Sequence, residues 1–413
     1  STSRRQRQMC IRDRTLPNGL RLALRRLTSP VEICGLAVDV GSRDESAGEE
    51  GLAHLVEHTI FKGTDRRRAS DINRRMEAVG GELNAYTTEE ETFVYAVAPR
   101  GNAARAIDLI ADLIKNSRFP AREVDKEKEV VCDEIDSYLD TPGEGIFDDF
   151  EELVYEGSSL AHNILGSKTD VMRLDGSDCR RFLDRFYTPG HMVFFYQGDA
   201  RRGAIERLVE RHLGSLSNPE ADRRRVTPAP CAPFAIRRSR GLHQAHCLTG
   251  ARTGGLDSPL RLATELVTNI LGGPGMNSLL NVELREKRGL VYNIDASTSL
   301  LSDTGLVTAY LGCDYADTDR CLALVGRVFD SLVRMPLTAR RLAAAKKQYL
   351  GQLTVGSTNQ ESTALAMGRS VLRFGRVATF GELAARIESI TADEVLAASE
   401  ALRSEVCSSL VLC

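Results

Sequence analysis

Apolar positions along this chain follow two rhythms, a period of two and a helical period, and they alternate in the same order twice. Residues 20–24 and 33–40 read as strands joined by a polar turn at Ser29-Pro30. Residues 81–98 read as a strand pair, in which Leu83, Ala85 and Thr87 alternate with Glu82, Asn84 and Tyr86. An amphipathic helix follows at 103–114, with Ile107, Ile110 and Ile114 at helical spacing, then Phe119-Pro120 and a second helix at 123–139. The second half repeats this: a strand pair at 289–312, a helix at 319–332, Met335-Pro336, and a helix at 339–353. Pro120 and Pro336 correspond at an offset of 216. The halves read as diverged copies of one unit. Between them, residues 215–233 hold four of the thirteen prolines and almost no apolar periodicity, the mark of a linker. The expected fold is α+β: two homologous units, each a mostly antiparallel sheet packed with helices. The expected divisions are a tail at 1–14, a first domain at 15–214, the linker at 215–233 and a second domain at 234–413.

A length of 413 residues also argues for two domains, since single cores stop growing at roughly 250–300 residues. Hydrophobic residues make up 42% and charged residues 27%, as in ordinary globular proteins, and the net charge of −3 gives no reason to expect a nucleic-acid or membrane partner. Ten cysteines without a C-x-x-C pair read as reduced, mostly buried thiols. They favour a reducing compartment. No stretch approaches the ~20 apolar residues of a membrane span. The basic first fourteen residues lack the apolar core of a secretory signal. The expected location is cytoplasmic, unless a targeting segment precedes Ser1.

Candidate chemistry starts in GLAHLVEHTIFKGT (51–64), which holds His54, Glu57 and His58 as H-x-x-E-H. Residues i and i+4 share a helix face, so two imidazoles can address one ion while Glu57 reaches a water beside it. This is the inverzincin order of the motif. A catalytic zinc takes three protein ligands and keeps one position open. The helix at 123–139 offers Glu127 and Glu134, two turns apart on one face, with Glu134 among Val130, Val131 and Ile135. The other histidines (162, 191, 212, 243 and 246) lack comparable partners and read as ordinary polar residues.

At these residues the chain resembles the pitrilysin/insulinase family of zinc peptidases, in the branch of mitochondrial processing peptidase and its bacterial relatives. The resemblance runs through TLPNGLRLAL (15–24), the H-x-x-E-H block, MEAVGGELNAYTTEEETFVYA (76–96), EKEVVCDEIDSY (127–138), HNILGS (162–167) and FYTPGHMVFFYQGD (186–199). In the second half it rests on LGGPGMNSLLNVELREKRGLVY (271–292). It implies a peptidase with one Zn2+ per chain held by His54, His58 and Glu134, the last lying 76 residues after the second histidine. It also implies Glu57 as general base, Glu127 as a supporting carboxylate, Arg285 and Tyr292 as a pair steadying the substrate carbonyl, and a sheet-edge strand bearing Asn84 and Ala85 that pairs with an extended peptide.

The second repeat has no metal motif: at the 216 offset the four site residues become Ile270, Gly273, Pro274 and Leu350. The Gly-rich LGGPGMNS (271–278) lacks the Lys-Ser/Thr of a phosphate loop. Since the family closes its chamber from four such units, the resemblance implies two chains, most simply a homodimer, with Arg285 and Tyr292 acting on the partner's metal. The expected function is a zinc-dependent endopeptidase acting on oligopeptides enclosed in a dimeric chamber. Its rivals are a non-catalytic binding or assembly subunit and a specific processing peptidase. The acidic run Glu89–Glu91 reads either as a preference for basic peptides or as a solvated hairpin tip.

Overall fold

The computed structural model describes residues 12–219, 223 and 225–413. Most of the segment read as a tail, residues 1–11, lies outside these, as do residues 220–222 and 224 of the expected linker. Among the described residues the strands are β1 (Arg12–Thr15), β2 (Arg21–Arg26), β3 (Val31–Val38), β4 (Glu82–Thr87), β5 (Thr92–Pro99), β6 (Met192–Gly198), β7 (Ala235–Arg238), β8 (Ala245–Thr253), β9 (Val291–Leu300), β10 (Gly305–Cys313) and β11 (Ser408–Leu412). Around them stand α1 (Leu52–Thr59), α2 (Ala103–Asn116), α3 (Ala121–Asp140), α4 (Pro142–Val154), α5 (Thr318–Arg334), α6 (Ala339–Gly356) and α7 (Gln360–Phe374), among other helices.

The first sheet runs β1-β2-β6-β3-β5-β4 and the second β7-β11-β8-β10-β9. In each, the first core strand lies parallel to the last (β2 with β6, β7 with β11) and every other pairing is antiparallel. The shared order is the structural form of the sequence repeat. One correction falls at the start: β1 begins at Arg12, inside the segment read as tail. Its sequence carries no apolar alternation, because backbone pairing with β2, from Arg12 opposite Leu24 to Thr15 opposite Arg21, is what orders it.

The domain boundaries also need correcting. The first compact unit comprises the chain through Asp136, His162–Arg225 and Ser357–Ala378; the second comprises Ser137–Ala161, Val226–Gly356 and Thr379–Cys413. Neither is a contiguous stretch. The physical reason lies in two helices. In the first unit, α7 presents Ala364, Met367, Val371 and Leu372 to Ile33, Ala37, Phe93 and Phe195 of the sheet. In the second, α4 presents Ile146, Phe150 and Val154 to Leu248, Leu306, Tyr310 and Leu410. At the repeat offset α4 and α7 are equivalents, so each half of the sequence donates the same helix to the other half's sheet.

This double cover explains β6, whose seven residues MVFFYQG are all buried without alternation. A strand buried on both faces reads as one apolar run. One face belongs to the large core of α1, α2 and β3, and the other to the core beneath α7. The expected linker is likewise divided. Arg225 bonds Asp44 at 2.6 and 2.9 Å and Asp39 at 3.1 Å within the first unit, while Arg252 holds the Pro228 carbonyl at 3.1 Å within the second.

Candidate metal centre

Helix α1 buries Leu52, Ala53, Leu55, Val56 and Thr59, which fixes its roll. Its start is held from two directions. Gly51 has φ +89, and a Cβ there would sit 2.5 Å from the Leu165 carbonyl oxygen, so glycine is required on both counts. Glu45, from the preceding loop, accepts the Gly51 N–H at 3.0 Å and the Ala53 N–H at 2.6 Å, and pairs with His162 Nε2 at 2.7 Å. These bonds satisfy donors that helical geometry leaves open.

With the roll fixed, His54 Nε2 lies 3.8 Å and His58 Nε2 3.6 Å from the same atom, Glu134 Oε2 of α3. One ligand atom from each of the three falls within 4.8 Å of the others, the only such trio of metal-binding side chains among the described residues. The separations exceed hydrogen-bonding distance, yet the three atoms are close enough to share one ion. Of the apolar residues expected around Glu134, Val131 is fully buried, Ile135 packs partly against the core and Val130 is exposed. Glu127, two turns earlier on the same face of α3, places Oε2 3.3 Å from His58 Nδ1 and Oε1 2.7 Å from Lys62 Nζ.

Burial sets the electrostatics. It lowers His54 to about 3, helped by the neighbouring His58, which keeps the imidazole neutral as a metal ligand must be. It raises Glu57 above the usual carboxylate range, against the opposing pull of hydrogen bonds from the Thr87 side chain and backbone and of the charge of His58. Glu57 Oε2 is buried and unpartnered, an acceptor with nothing to accept. Two adjacent imidazoles, a convergent carboxylate and an acid with one buried, unpartnered oxygen fit a zinc ion with a water beside it.

Asn84 and Ala85 lie on β4, which pairs only with β5 and forms the edge of the first sheet. Thr87, at the end of that strand, is the residue bonded to Glu57. Arg285 and Tyr292 belong to the second unit. Arg285 is exposed on a turn of π-helix, Asn281–Glu286, and Tyr292, 61% exposed, opens β9 and donates its hydroxyl to Asp314 at 2.7 Å. The acidic run is neither a peptide lure nor a solvated tip. Glu90 and Glu91 are buried, Glu90 against Arg43 at 2.6 Å and Arg373 at 3.3 Å, and Glu91 against Arg369. Sequence reading missed this cluster, together with Glu45, His162 and Lys62. The signal for His162 was only its place in HNILGS.

The sequence model of one family, described as insulinase (peptidase family M16), matches residues 21–168. A second, described as the peptidase M16 inactive domain, matches residues 173–349. A protein of Mycobacterium tuberculosis named as an uncharacterized zinc protease is 34% identical over 398 residues, covering 94% of this chain and 90% of its own length. One of Bacillus subtilis with the same style of name is 28% identical over 393 residues, covering 92% and 93%. Among solved structures, a protease from Helicobacter pylori superposes with TM-score 0.87 at 19% identity, covering 97% of this chain and 98% of its own. A peptidase M16 inactive domain from Pseudomonas fluorescens gives TM-score 0.89 at 18% identity over 98% of both chains.

Proposed function

The chain belongs to peptidase family M16, the insulinase family, and from that premise we propose that it is a zinc-dependent endopeptidase of oligopeptides. The observation that carries the reading is the convergence of His54, His58 and Glu134 on one point, with Glu57, whose Oε2 is buried and unpartnered, feeling the charge of His58 and Glu134. One zinc per chain would be held by those three ligands. When bound, it supplies Lewis acidity to the scissile carbonyl and to a water.

Glu57 takes the proton of the attacking water and hands it to the leaving amine, a role suited to a carboxyl raised toward neutrality. Thr87 holds that carboxyl in place from the end of β4, so a peptide added to the β4 edge beside Asn84 and Ala85 lies in register with the base. Edge pairing reads main chain, which suits a broad choice of sequence. Arg285 and Tyr292 complete the site from a second copy in a homodimeric chamber, where they steady the developing oxyanion. A cytoplasmic location is part of the same reading.

Hydrolysis of a quenched fluorescent peptide of about ten to twenty residues, a span matched to an enclosed extended substrate, tests this. Wild type and Glu57→Gln are run with and without a chelator, and bound metal is assayed on both. Cleavage that needs zinc and Glu57 upholds the reading. Zinc bound without cleavage of the probe points to a missing partner or a narrow specificity, and cleavage confined to one short motif points to a specific processing peptidase. A wild-type chain that binds no zinc overturns both peptidase readings and favours the non-catalytic assembly subunit.

A further inference from the structure

Lys62 lies just beyond α1, its backbone N–H closing a turn onto the Thr59 carbonyl at 3.0 Å. It follows His58 by four residues, past the end of the helix, and its side chain reaches the same carboxylate that His58 does. Its ammonium meets Glu127 Oε1 at 2.7 Å, and the other oxygen of that carboxylate meets His58 Nδ1 at 3.3 Å. All three side chains are partly buried, with exposures of 29%, 13% and 21% for Lys62, Glu127 and His58. The nearby Glu123 is occupied with Lys126 at 2.9 Å, so it does not compete for Lys62.

We propose that Lys62 is a positioning residue of the metal centre: by pinning one oxygen of Glu127, it aims the other at His58 Nδ1 and so fixes the ring with Nε2 toward the metal position. The proposal rests on the zinc reading of the site. Glu127 has two carboxylate oxygens and, without the lysine, would be free to turn about its terminal torsion. A turned carboxylate loses His58 Nδ1, and the imidazole can then flip or change tautomer. With Lys62 in place, Nδ1 is the donor and the Nε2 lone pair faces Glu134 Oε2 at 3.6 Å. Partners behind a ligating histidine set its tautomer and orientation, and their loss weakens metal affinity tenfold to a hundredfold. The brace also spans two elements, because Lys62 extends the segment of His58 while Glu127 shares a face of α3 with Glu134.

The test is zinc affinity by competition with a chromophoric chelator, combined with the thermal midpoint of the metal-free protein and the His58 nitrogen resonances in that same form. Lys62→Met should weaken zinc binding by about tenfold or more, leave the metal-free midpoint near wild type and mix the His58 tautomers. Lys62→Arg, which keeps the cation, should recover most of the affinity. Unchanged affinity and an unchanged Nδ1–H tautomer in Lys62→Met overturn the proposal. So does an affinity loss matched by an equal collapse of the metal-free midpoint, since that marks a merely structural residue. If Lys62→Met does not fold, Lys62→Gln carries the same readouts. If wild type binds no zinc, the zinc reading has failed, and the His58 tautomer in the metal-free pair decides the role of Lys62 alone.

Discussion

His54 and Glu57 stand three residues apart on one helix, and the same burial acts on them in opposite senses of charge with one result: both are driven toward neutrality. On the proposed reading, the first keeps a ligand lone pair free, and the second makes the ionised Glu57 carboxylate a stronger proton acceptor. Glu57→Gln keeps the shape and removes the basicity, so kcat should fall by about 10²–10⁴-fold with zinc content unchanged; a variant that loses its zinc would assign Glu57 to the ligand set instead. A second pair titrates at the entrance of α1. Burial pushes Glu45 up to about 7, against the bonds from His162, Ala53 and Gly51. Burial pulls His162 down, but the Glu45 carboxylate outweighs it and leaves His162 raised. Both groups therefore hold protons more tightly folded than unfolded, so their contribution is full below the unfolded values and is lost as pH rises through the neutral range. The metal-free wild type should lose more thermal stability between pH 6 and pH 8 than a Glu45→Gln, His162→Gln double variant does. Parallel pH slopes would show that the pair is not the source. The meeting of His54, His58 and Glu134 was legible because helical spacing puts the two histidines on one face and the family resemblance pointed to the carboxylate. Lys62 and Glu45 were not, because a hydrogen bond across 65 residues or to a backbone N–H leaves no periodic trace.

A helix declares in its sequence which face is apolar but not which sheet that face will meet. The spacing of Ile107, Ile110 and Ile114 was enough to place α2, and all three are buried in the expected core. Helices α4 and α7 carry equally good apolar faces, yet nothing in them names the sheet they cover, and a reading by proximity assigns each to the wrong half. Met367 of α7 is 2% exposed and packs in the core above β5 and β6. Met367→Ala should cost about 2–5 kcal/mol, measured by denaturant unfolding. A cost below about 1 kcal/mol, the range of surface substitutions, would mean that α7 is not anchored to this sheet. The α1 entrance is a second local constraint. Gly51→Ala must strain φ and displace the Leu165 carbonyl, so it should lower both stability and zinc affinity, whereas Gly48→Ala, with open space around its Cβ, should disturb α1 far less despite its own positive φ. Equal effects on zinc binding would show that the close approach to Leu165 is unimportant.

The whole chain divides its candidate chemistry: the trio His54, His58 and Glu134 lies in one unit and the exposed Arg285 and Tyr292 in the other. If Arg285 and Tyr292 serve the partner copy, mixing Glu57→Gln with Arg285→Ala protein should recover about a quarter of wild-type activity per chain, since half of randomly paired dimers are mixed and each holds one intact site. No recovery, with subunit exchange demonstrated, would show that the pair acts within its own chain or not at all. The repeat itself was visible from Pro120 and Pro336, but the interleaving of the units was not, because correspondence between halves says nothing about who packs on whom. That interleaving has a consequence for descent. Two copies of a single ancestral unit, each lending the same arm to its neighbour, are what a domain-swapped homodimer looks like, and joining its chains end to end at residues 215–233 would yield this molecule. The halves have since grown unlike, but they have not grown separable. A gene cut at that joint should produce two insoluble proteins when each is made alone, and a soluble pair when they are made together.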